Sequence, residues 1–203
     1  MEPLLRPTSC SRLEQLLDAR NSEPERRQQL DQLILSEFAA TRSILVLDMA
    51  GFSFSVRRNG IIHHLALIRQ MHRIVGSTIA GAGGAVIKFE ADNCYSVFPD
   101  PTSAMRGSIA INAALAENNR TRAADEIIEA SIGIGHGSIL LGCDDFYGDE
   151  VNLACKLGED IADRNEIYLS ESAHSHLAAG EWEFQRLDLT VSGIHFPAYK
   201  YLR

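Results

Sequence analysis

The chain has 203 residues, of which 45% are hydrophobic and 23% are charged, as expected for a globular protein with one well-cored domain and a short appendage. Its formal net charge of −8 argues against a general nucleic-acid binder, because such a protein needs a basic face. No apolar run reaches transmembrane length, and the N-terminus lacks the apolar core of a signal peptide.

Residues 1–41 are predicted to form a helical arm, separate from a domain at residues 42–203. The arm is charged, has no strand pattern and carries apolar residues at helical spacing, which are Leu30, Leu33, Ile34 and Phe38. A shorter helix is predicted around Leu13, Leu16 and Leu17, and ARNSEPERR is the expected break between the two. We favour packing of the arm on the domain over a dimerising or signal-transmitting role, since its apolar stripe is short for a coiled coil.

From Ser43 onward, predicted strands and helices alternate. SILVLD predicts a buried strand that ends at Asp48. RRNGIIHHLALIRQMHRIVGSTIAG predicts a long helix, whose apolar face is assigned to Ile61, Leu65, Ile68, Met71 and Val75. GAVIKFEADNCYSVFPD predicts two strands around a tight turn at residues 91–93, because apolar residues flank an Asp-Asn pair.

The second half of the chain continues this alternation. PTSAMRGSIAINAALAENN predicts a long helix that begins at a proline, and EASIGIGHGSILLG predicts a strand or a bent strand pair. GDEVNLACKLGEDIA predicts a third helix, EIYLSESA a strand, SESAHSHLAAG a short helix, and WEFQRLDL and AYKYLR closing strands. The order β-α-β-β-α-β, followed by further helices and strands, predicts an α/β (α+β) fold with a ferredoxin-like core.

Several common functional motifs are missing from the chain. GAGGAV follows a helix and precedes a strand, whereas a dinucleotide-binding loop leads from a strand into a helix, and there is no G-x-x-x-x-G-K-S/T sequence. His63 and His64 show no metal-ligand spacing, so we expect surface or interface positions for them. The four cysteines form no Cys-x-x-Cys pair, which predicts reduced thiols and a cytoplasmic location.

Two aspartates occupy matching positions. Asp48 ends the first strand, just before a turn of small residues, and Asp92 lies at the tip of the next hairpin. If the two strands are neighbours, the carboxylates meet at one end of the sheet, where they would hold hard divalent cations bound to phosphates. The alternative is a helix cap for Asp48 and a turn role for Asp92. Spacing alone does not decide between these interpretations.

Residues from about 43 to 202 resemble the catalytic domain of class III nucleotide cyclases, the adenylate and guanylate cyclase family. The segments that carry the resemblance occur in the family's order and are LVLDMAGFS, GGAVIKFEAD, SIGIGHGSILLG, FYGDEVNLACKLGEDIA and EIYLSESA. The resemblance implies the family's fold and an enzyme that converts ATP to 3′,5′-cyclic AMP and pyrophosphate. It also implies two divalent cations, Mg²⁺ or Mn²⁺, and a homodimer with two active sites between its subunits.

The family's metal and phosphate sites can be carried over to this sequence. Asp48 and Asp92 match the family's two metal-binding aspartates. The backbone N–H groups of the following turn would bind the β- and γ-phosphates, and the turn consists of Ala50, Gly51, Phe52 and Ser53. In the family, the metal-binding aspartates of one subunit face the base-binding residues of the other.

The base and ribose residues of the family also have counterparts here. Lys88 and Asp145 match the lysine and the acidic residue that read adenine. Asn152 matches the asparagine that orients the ribose. Lys156, four residues further on and therefore on the same helical face, stands where the family usually has a transition-state arginine.

Three positions depart from the family's pattern. Lys156 keeps the positive charge of arginine but lacks the planar fork that binds phosphate oxygens in pairs. Ile194 stands where a basic residue often contacts the terminal phosphates, with Ser192 ahead of the glycine, and Ala91 replaces the glycine before Asp92. Two interpretations follow: a slow adenylate cyclase, or a catalytically weak or inactive domain that serves as a nucleotide-binding, regulatory or dimerisation module.

Overall fold

The computed structural model describes residues 10–50, 60–142, 144–178, 180–191 and 193–203. Within these ranges, the N-terminal arm is a pair of helices packed on the domain. Helices α1 (Cys10–Ser22) and α2 (Arg27–Phe38) are joined by a 3₁₀ turn at Pro24–Arg26. The side chains that these helices bury together are Leu13, Leu16, Leu30, Ile34 and Phe38. Leu140 of the sheet packs against this cluster, so the arm lies on the domain.

A mixed β-sheet forms the centre of the domain. Its strands within the described residues are β1 (Ala39–Met49), β2 (Ala85–Glu90), β3 (Asn93–Phe98), β4 (Ala130–Leu141), β5 (Phe146–Tyr147), β6 (Ile167–Ser170), β7 (Phe184–Val191) and β8 (Ile194–Tyr201). They follow the order β2-β3-β1-β4-β6-β8-β7, and β5 pairs with β4. The segment β2-β3-β1-β4 is antiparallel and has the strand order of a ferredoxin-like core, which confirms the predicted fold class. The parallel pair β4–β6 extends the sheet to the closing strands.

Helices cover both faces of this sheet. The helices are α3 (Ile61–Gly81), α4 (Pro101–Asn119), α5 (Asp149–Cys155) with a π-helical continuation at Lys156–Ile161, and α6 (Glu171–Ser175). Helices α3 and α4 pack on the face that carries Leu45 and Leu47, and α5 packs on the face that carries Ile44 and Val46. Strand β1 is therefore buried on both sides. Of the helices in the described ranges, none has the length and apolar character that crossing a membrane requires.

The predicted apolar face of α3 is correct at three of its five positions. Ile68, Met71 and Val75 are buried, but Ile61 and Leu65 are each 54% exposed. The buried stripe instead starts at His64, whose predicted surface or interface position is therefore wrong. A period of 3.6 residues aligns positions 64, 68, 71 and 75, whereas Ile61 and Leu65 lie to one side of this stripe. Strand β1 also begins earlier than expected, directly after α2, inside the segment assigned to the arm.

Glycines in β4 let α5 lie directly on the strand backbone. A Cβ atom at Gly133 would be 2.2 Å from the carbonyl oxygen of Ala154, and one at Gly135 would be 2.3 Å from the carbonyl oxygen of Glu150. Both distances are far below contact, so larger residues would push the helix away from the sheet. The glycines of SIGIGHGSILLG thus set the short distance between α5 and the sheet, and with it the position of Asn152 and Lys156.

Candidate active site

The two aspartates singled out in the sequence meet at one end of the sheet. Asp48 is the second-last residue of β1 and pairs with Asn93 of β3 in the antiparallel register. The next residue of β1, Met49, donates its backbone N–H to the carbonyl oxygen of Asp92 at 3.2 Å. Strands β1 and β3 are neighbours, which was the condition for the two carboxylates to meet, and the fold therefore brings Asp48 and Asp92 together.

Negative charge accumulates at this position. Burial is the largest cause that raises the pKa of Asp48 from 3.8 to about 7, and the charges of Asp92 and Glu159 add to it. The hydrogen bond from the backbone N–H of Met49 lowers this pKa but is outweighed. A divalent cation would relieve this repulsion, and carboxylate oxygens are the ligands that Mg²⁺ and Mn²⁺ prefer. Asp48 and Asp92 thus have the chemistry of a cation site.

The protein supplies only part of a complete coordination shell there. In the described part of the chain, no three His, Cys, Asp or Glu side chains meet closely enough to hold a metal ion together. Mg²⁺ is usually bound by one or two carboxylates together with water and substrate phosphates. The pair Asp48 and Asp92 therefore suits a cation that arrives with a phosphorylated ligand.

Glu159 contributes a third carboxylate that the sequence analysis missed. It belongs to the π-helical segment and accepts a hydrogen bond from the Tyr95 hydroxyl at 3.0 Å. Burial raises the pKa of Glu159, and the nearby charges of Asp160, Glu90 and Asp92 add to this, whereas the Tyr95 bond lowers it. The pattern GDEVNLACKLGEDIA predicts an ordinary α-helix and contains no signal for a π-helical turn, so it gave no reason to place Glu159 near Asp92.

Lys88 and Asp145 form an ion pair across 57 residues of sequence. Nζ of Lys88 on β2 lies 3.1 Å from Oδ2 of Asp145, and Oδ1 of Asp145 accepts the backbone N–H of Phe146 at 2.9 Å. Burial by itself lowers the pKa of Lys88, but Asp145 and Glu90 outweigh it, so that the pKa is raised and the ammonium stays charged. The pair predicted to read a base is therefore assembled before any ligand binds.

Asn152 and Lys156 face a common cleft of about 360 Å³, which is also lined by Cys155, Glu159 and Asp160. Asn152 lies on α5, and Lys156 starts the π-helical segment one turn later. None of the carboxylates in the described ranges forms an ion pair with Lys156, whereas Lys88 has two such partners. Lys156 is thus a cation available to an anionic ligand, in a cleft whose other charged groups are acidic.

The predicted phosphate-binding turn lies only partly within the described residues. The backbone N–H of Ala50 donates to the carbonyl oxygen of Glu129 at 2.9 Å, so in this structure it is not available to a phosphate. Gly51, Phe52 and Ser53 lie outside the described residues, as does Ser192. Ile194 begins β8.

Comparisons with known proteins identify the family to which the chain belongs. The model of the family described as "Adenylate and Guanylate cyclase catalytic domain" matches residues 41–196. A protein of Rhizobium meliloti (strain 1021) named "Putative adenylate cyclase 3" is 26% identical over 153 residues, which cover 75% of this chain. The chain spans only 25% of that protein's length.

Solved structures share the fold. The crystal structure of an adenylate/guanylate cyclase/hydrolase from Silicibacter pomeroyi is 27% identical, with a TM-score of 0.69 over 81% of this chain and 98% of that one. A non-canonical dimeric guanylyl cyclase domain of the RhoGC fusion protein from the aquatic fungus Blastocladiella emersonii has a TM-score of 0.66 at 18% identity, over 81% of this chain and 97% of that one. At that identity, the second match demonstrates a common fold only.

Proposed function

The chain belongs to the adenylate and guanylate cyclase catalytic-domain family, and on this basis we propose that it is a homodimeric cyclase that converts ATP to 3′,5′-cyclic AMP and pyrophosphate. The observation that carries the choice of ATP is the Lys88–Asp145 pair, with 3.1 Å between Nζ and Oδ2. A lysine can donate to a ring nitrogen of adenine, and an aspartate can accept from its exocyclic amine. Guanine presents a carbonyl in place of that amine, so Asp145 would face another acceptor.

The reaction is an attack of the ribose 3′-oxygen on the α-phosphorus, with pyrophosphate as the leaving group. Asp48 and Asp92 would hold two divalent cations, whose positive charge activates the 3′-hydroxyl and shields the triphosphate. Asn152 would orient the ribose, and Lys156 would place a positive charge beside the phosphate oxygens on which negative charge develops. The protein's part is then mainly positioning and charge stabilisation, which suits a cleft with few nucleophiles.

The dimer is part of this proposal. In the family, the base-binding residues of one subunit complete the site of the metal-binding aspartates of the other, and a symmetric dimer then contains two equal sites. The likeness in fold to a guanylyl cyclase domain whose dimer is described as non-canonical supports dimerisation, but not this particular arrangement of the two subunits. Light scattering with nucleotide and Mn²⁺ present should therefore give the mass of a dimer, and a monomer at high protein concentration would contradict it.

The second candidate is a domain that binds a nucleotide without turning it over. Lys156 favours it, because a compact ammonium supplies one charge where arginine supplies two parallel donors. The retention of both metal-binding aspartates favours the enzyme, since nucleotide binding alone does not require an activated 3′-oxygen.

One experiment separates these two functions. The protein is incubated with ATP or GTP and with Mg²⁺ or Mn²⁺, and cyclic nucleotides are quantified by chromatography with Asp48→Asn as the inactive control. We expect cyclic AMP to form with wild type and not with the control. Binding of ATP by calorimetry without any cyclic product would support the second candidate, and equal amounts of cyclic AMP and cyclic GMP would contradict the role of Lys88 and Asp145.

A further inference from the structure

Tyr95 on β3 supports both members of the base-reading pair, although no sequence pattern assigned it a role. Its ring centroid lies 5.0 Å from Nζ of Lys88, and its ring meets that of Phe146 edge-on, with 6.4 Å between centroids. Phe146 in turn donates its backbone N–H to Oδ1 of Asp145 at 2.9 Å. The Tyr95 ring therefore contacts Lys88 directly and Asp145 through Phe146.

A β-bulge places Lys88 on the face of the sheet that carries Tyr95. The register between β2 and β3 shifts between Val86 and Lys88, which leaves Ile87 as an additional residue and sets Lys88 opposite Tyr95. In an unshifted register, Lys88 would stand opposite Cys94, which belongs to the core on the other face. Bulges re-aim side chains in this way and are frequent beside active sites. The cross-strand pair of Lys88 and Tyr95 thus depends on a specific irregularity of the strand.

Lys88 has a second carboxylate within reach. Its Nζ atom is 3.1 Å from Asp145 and 3.3 Å from Glu90. The Glu90 side chain is 68% exposed and that of Asp145 is 36% exposed, so the contact with Glu90 is the more hydrated and the weaker of the two. If the ammonium moved to Glu90, Lys88 and Asp145 would no longer act on a base as one unit. An aromatic ring beneath the ammonium opposes such a movement, because the ring face attracts cations.

We propose that Tyr95 is a positioning residue for base selection, whose ring holds Lys88 beside Asp145 in the arrangement that suits adenine. This inference rests on the proposed cyclase function and concerns the same site. The Tyr95 hydroxyl is engaged elsewhere, since it accepts a hydrogen bond from Asn93 at 3.3 Å and donates one to Glu159 at 3.0 Å. Because ring and hydroxyl have separate partners, their contributions can be measured separately.

The test compares Tyr95→Phe with Tyr95→Leu. Tyr95→Phe keeps the ring and removes the hydroxyl, so the preference for ATP over GTP, measured as the ratio of the two kcat/KM values, should remain. Tyr95→Leu removes the ring, and the same ratio should fall by about two- to fivefold, the effect expected of a partly exposed cation–π contact. A purely structural role would change the rates with both nucleotides alike and would leave the ratio unchanged.

Two matched variants show whether the effect is specific. Phe89→Leu removes an aromatic ring from the same hairpin on the opposite face, where Phe89 stacks on His72 with 4.1 Å between ring centroids, and it should leave the ratio unchanged. In a Lys88→Met background, Tyr95→Leu should have no further effect on the ratio, because Lys88 is the group through which the ring acts. If Tyr95→Leu does not fold, 3,4,5-trifluorophenylalanine at position 95 replaces it. Fluorination weakens the attraction of the ring face for a cation and changes the shape of the ring very little.

The base preference is also measured without turnover, as the ratio of the Kd values of the non-cyclisable α,β-methylene analogues of ATP and GTP. A ratio that Tyr95→Leu leaves unchanged would overturn the inference and leave the cyclase function intact. A wild type that makes no cyclic product, yet shows a binding preference that depends on Tyr95, would overturn the cyclase function alone. A wild type without any base preference would overturn the inference, since there would be no selection to support.

Discussion

Replacing Asp48 by asparagine should stabilise the metal-free protein at pH 8 while it abolishes nucleotide turnover. Burial, with the charges of Asp92 and Glu159, raises the pKa of Asp48 from 3.8 to about 7. Since the folded protein then binds this proton more tightly than the unfolded chain does, ionisation of Asp48 reduces the free energy of unfolding. This loss is absent below pH 3.8, grows as the pH rises from 3.8 to about 7, and is complete above that.

The size of the effect follows from the same shift. One pKa unit corresponds to about 1.4 kcal/mol, so a fully expressed shift of this size would reduce stability by about 4 kcal/mol. Asp48 is only half-buried, and solvent screening reduces the loss, so we expect Asp48→Asn to gain about 1–2 kcal/mol at pH 8. For a chain of this length, such a gain raises the midpoint of thermal unfolding by about 2–8 °C. At pH 5, where the folded protein still holds the proton, the gain should be smaller.

Thermal unfolding of the metal-free protein at pH 5 and pH 8, followed with and without Mn²⁺, measures this effect. Mn²⁺ should raise the unfolding midpoint of wild type and should have much less effect on Asp48→Asn, because the cation loses one of its two carboxylates. Asp188→Asn is the matched control, since it removes the exposed partner of Arg186, and exposed pairs contribute little. An unchanged midpoint of Asp48→Asn at pH 8, or a larger gain at pH 5 than at pH 8, would refute the electrostatic explanation.

Further predictions concern single side chains around the same site. Asp92→Asn should abolish cyclic AMP formation without a loss of fold by circular dichroism, and retained activity would contradict its metal-binding role. Lys156→Arg should raise kcat by up to about tenfold with little change in KM, because a bidentate contact to developing charge acts mainly in the transition state; a slower variant would mean that lysine suits this cleft better. Glu159→Gln should weaken the binding of Mn²⁺ by about two- to fivefold if the charge of Glu159 acts at long range, and electron paramagnetic resonance measures this binding. Unaltered binding would remove Glu159 from the site. Ala91→Gly should stabilise the fold by about 0.5–1 kcal/mol in urea unfolding, because Ala91 has a φ of +51° that favours glycine; a loss of stability would mean that chain entropy outweighs the relief of strain.

The fold and the proximity of the two aspartates were within reach of sequence reasoning. Hydrophobic runs and helical periodicity located the principal strands and long helices, and their order predicted a ferredoxin-like core. The meeting of Asp48 and Asp92 was predicted on the condition that their strands are neighbours, and the structure fulfils this condition. The apolar face of α3 was misjudged because Ile61 and Leu65 fit the helical pattern but lie at the edge of the face that is buried, next to His64. Periodicity identifies a face of a helix, and only tertiary packing decides how much of that face is covered.

The details of the site were less accessible, since they depend on local irregularities. Three of these occur close to functional side chains: the bulge at Ile87, the left-handed conformation of Ala91 and the π-helical segment that carries Glu159. Each departs from the regular repeat on which pattern reading depends. None of them has a sequence signature strong enough to predict it: the turn at residues 91–93 was predicted, but the alanine at position 91 gave no indication of a left-handed conformation.

The irregularities in IKFEAD share a physical explanation. Lys88 and Asp92 are only four residues apart in this segment. Lys88 lies beside Tyr95 on one face of the sheet, whereas Asp92 lies at the end of β1. A regular hairpin would turn Lys88 toward the core at Cys94, so the bulge is what separates the cation from the apolar interior. Conformations of this kind cost free energy locally and persist only where the surrounding structure enforces them. Segments in which local preference and observed conformation disagree are therefore the places where a binding site is expected, and in this chain the disagreement coincides with the residues proposed to bind the base and the cations.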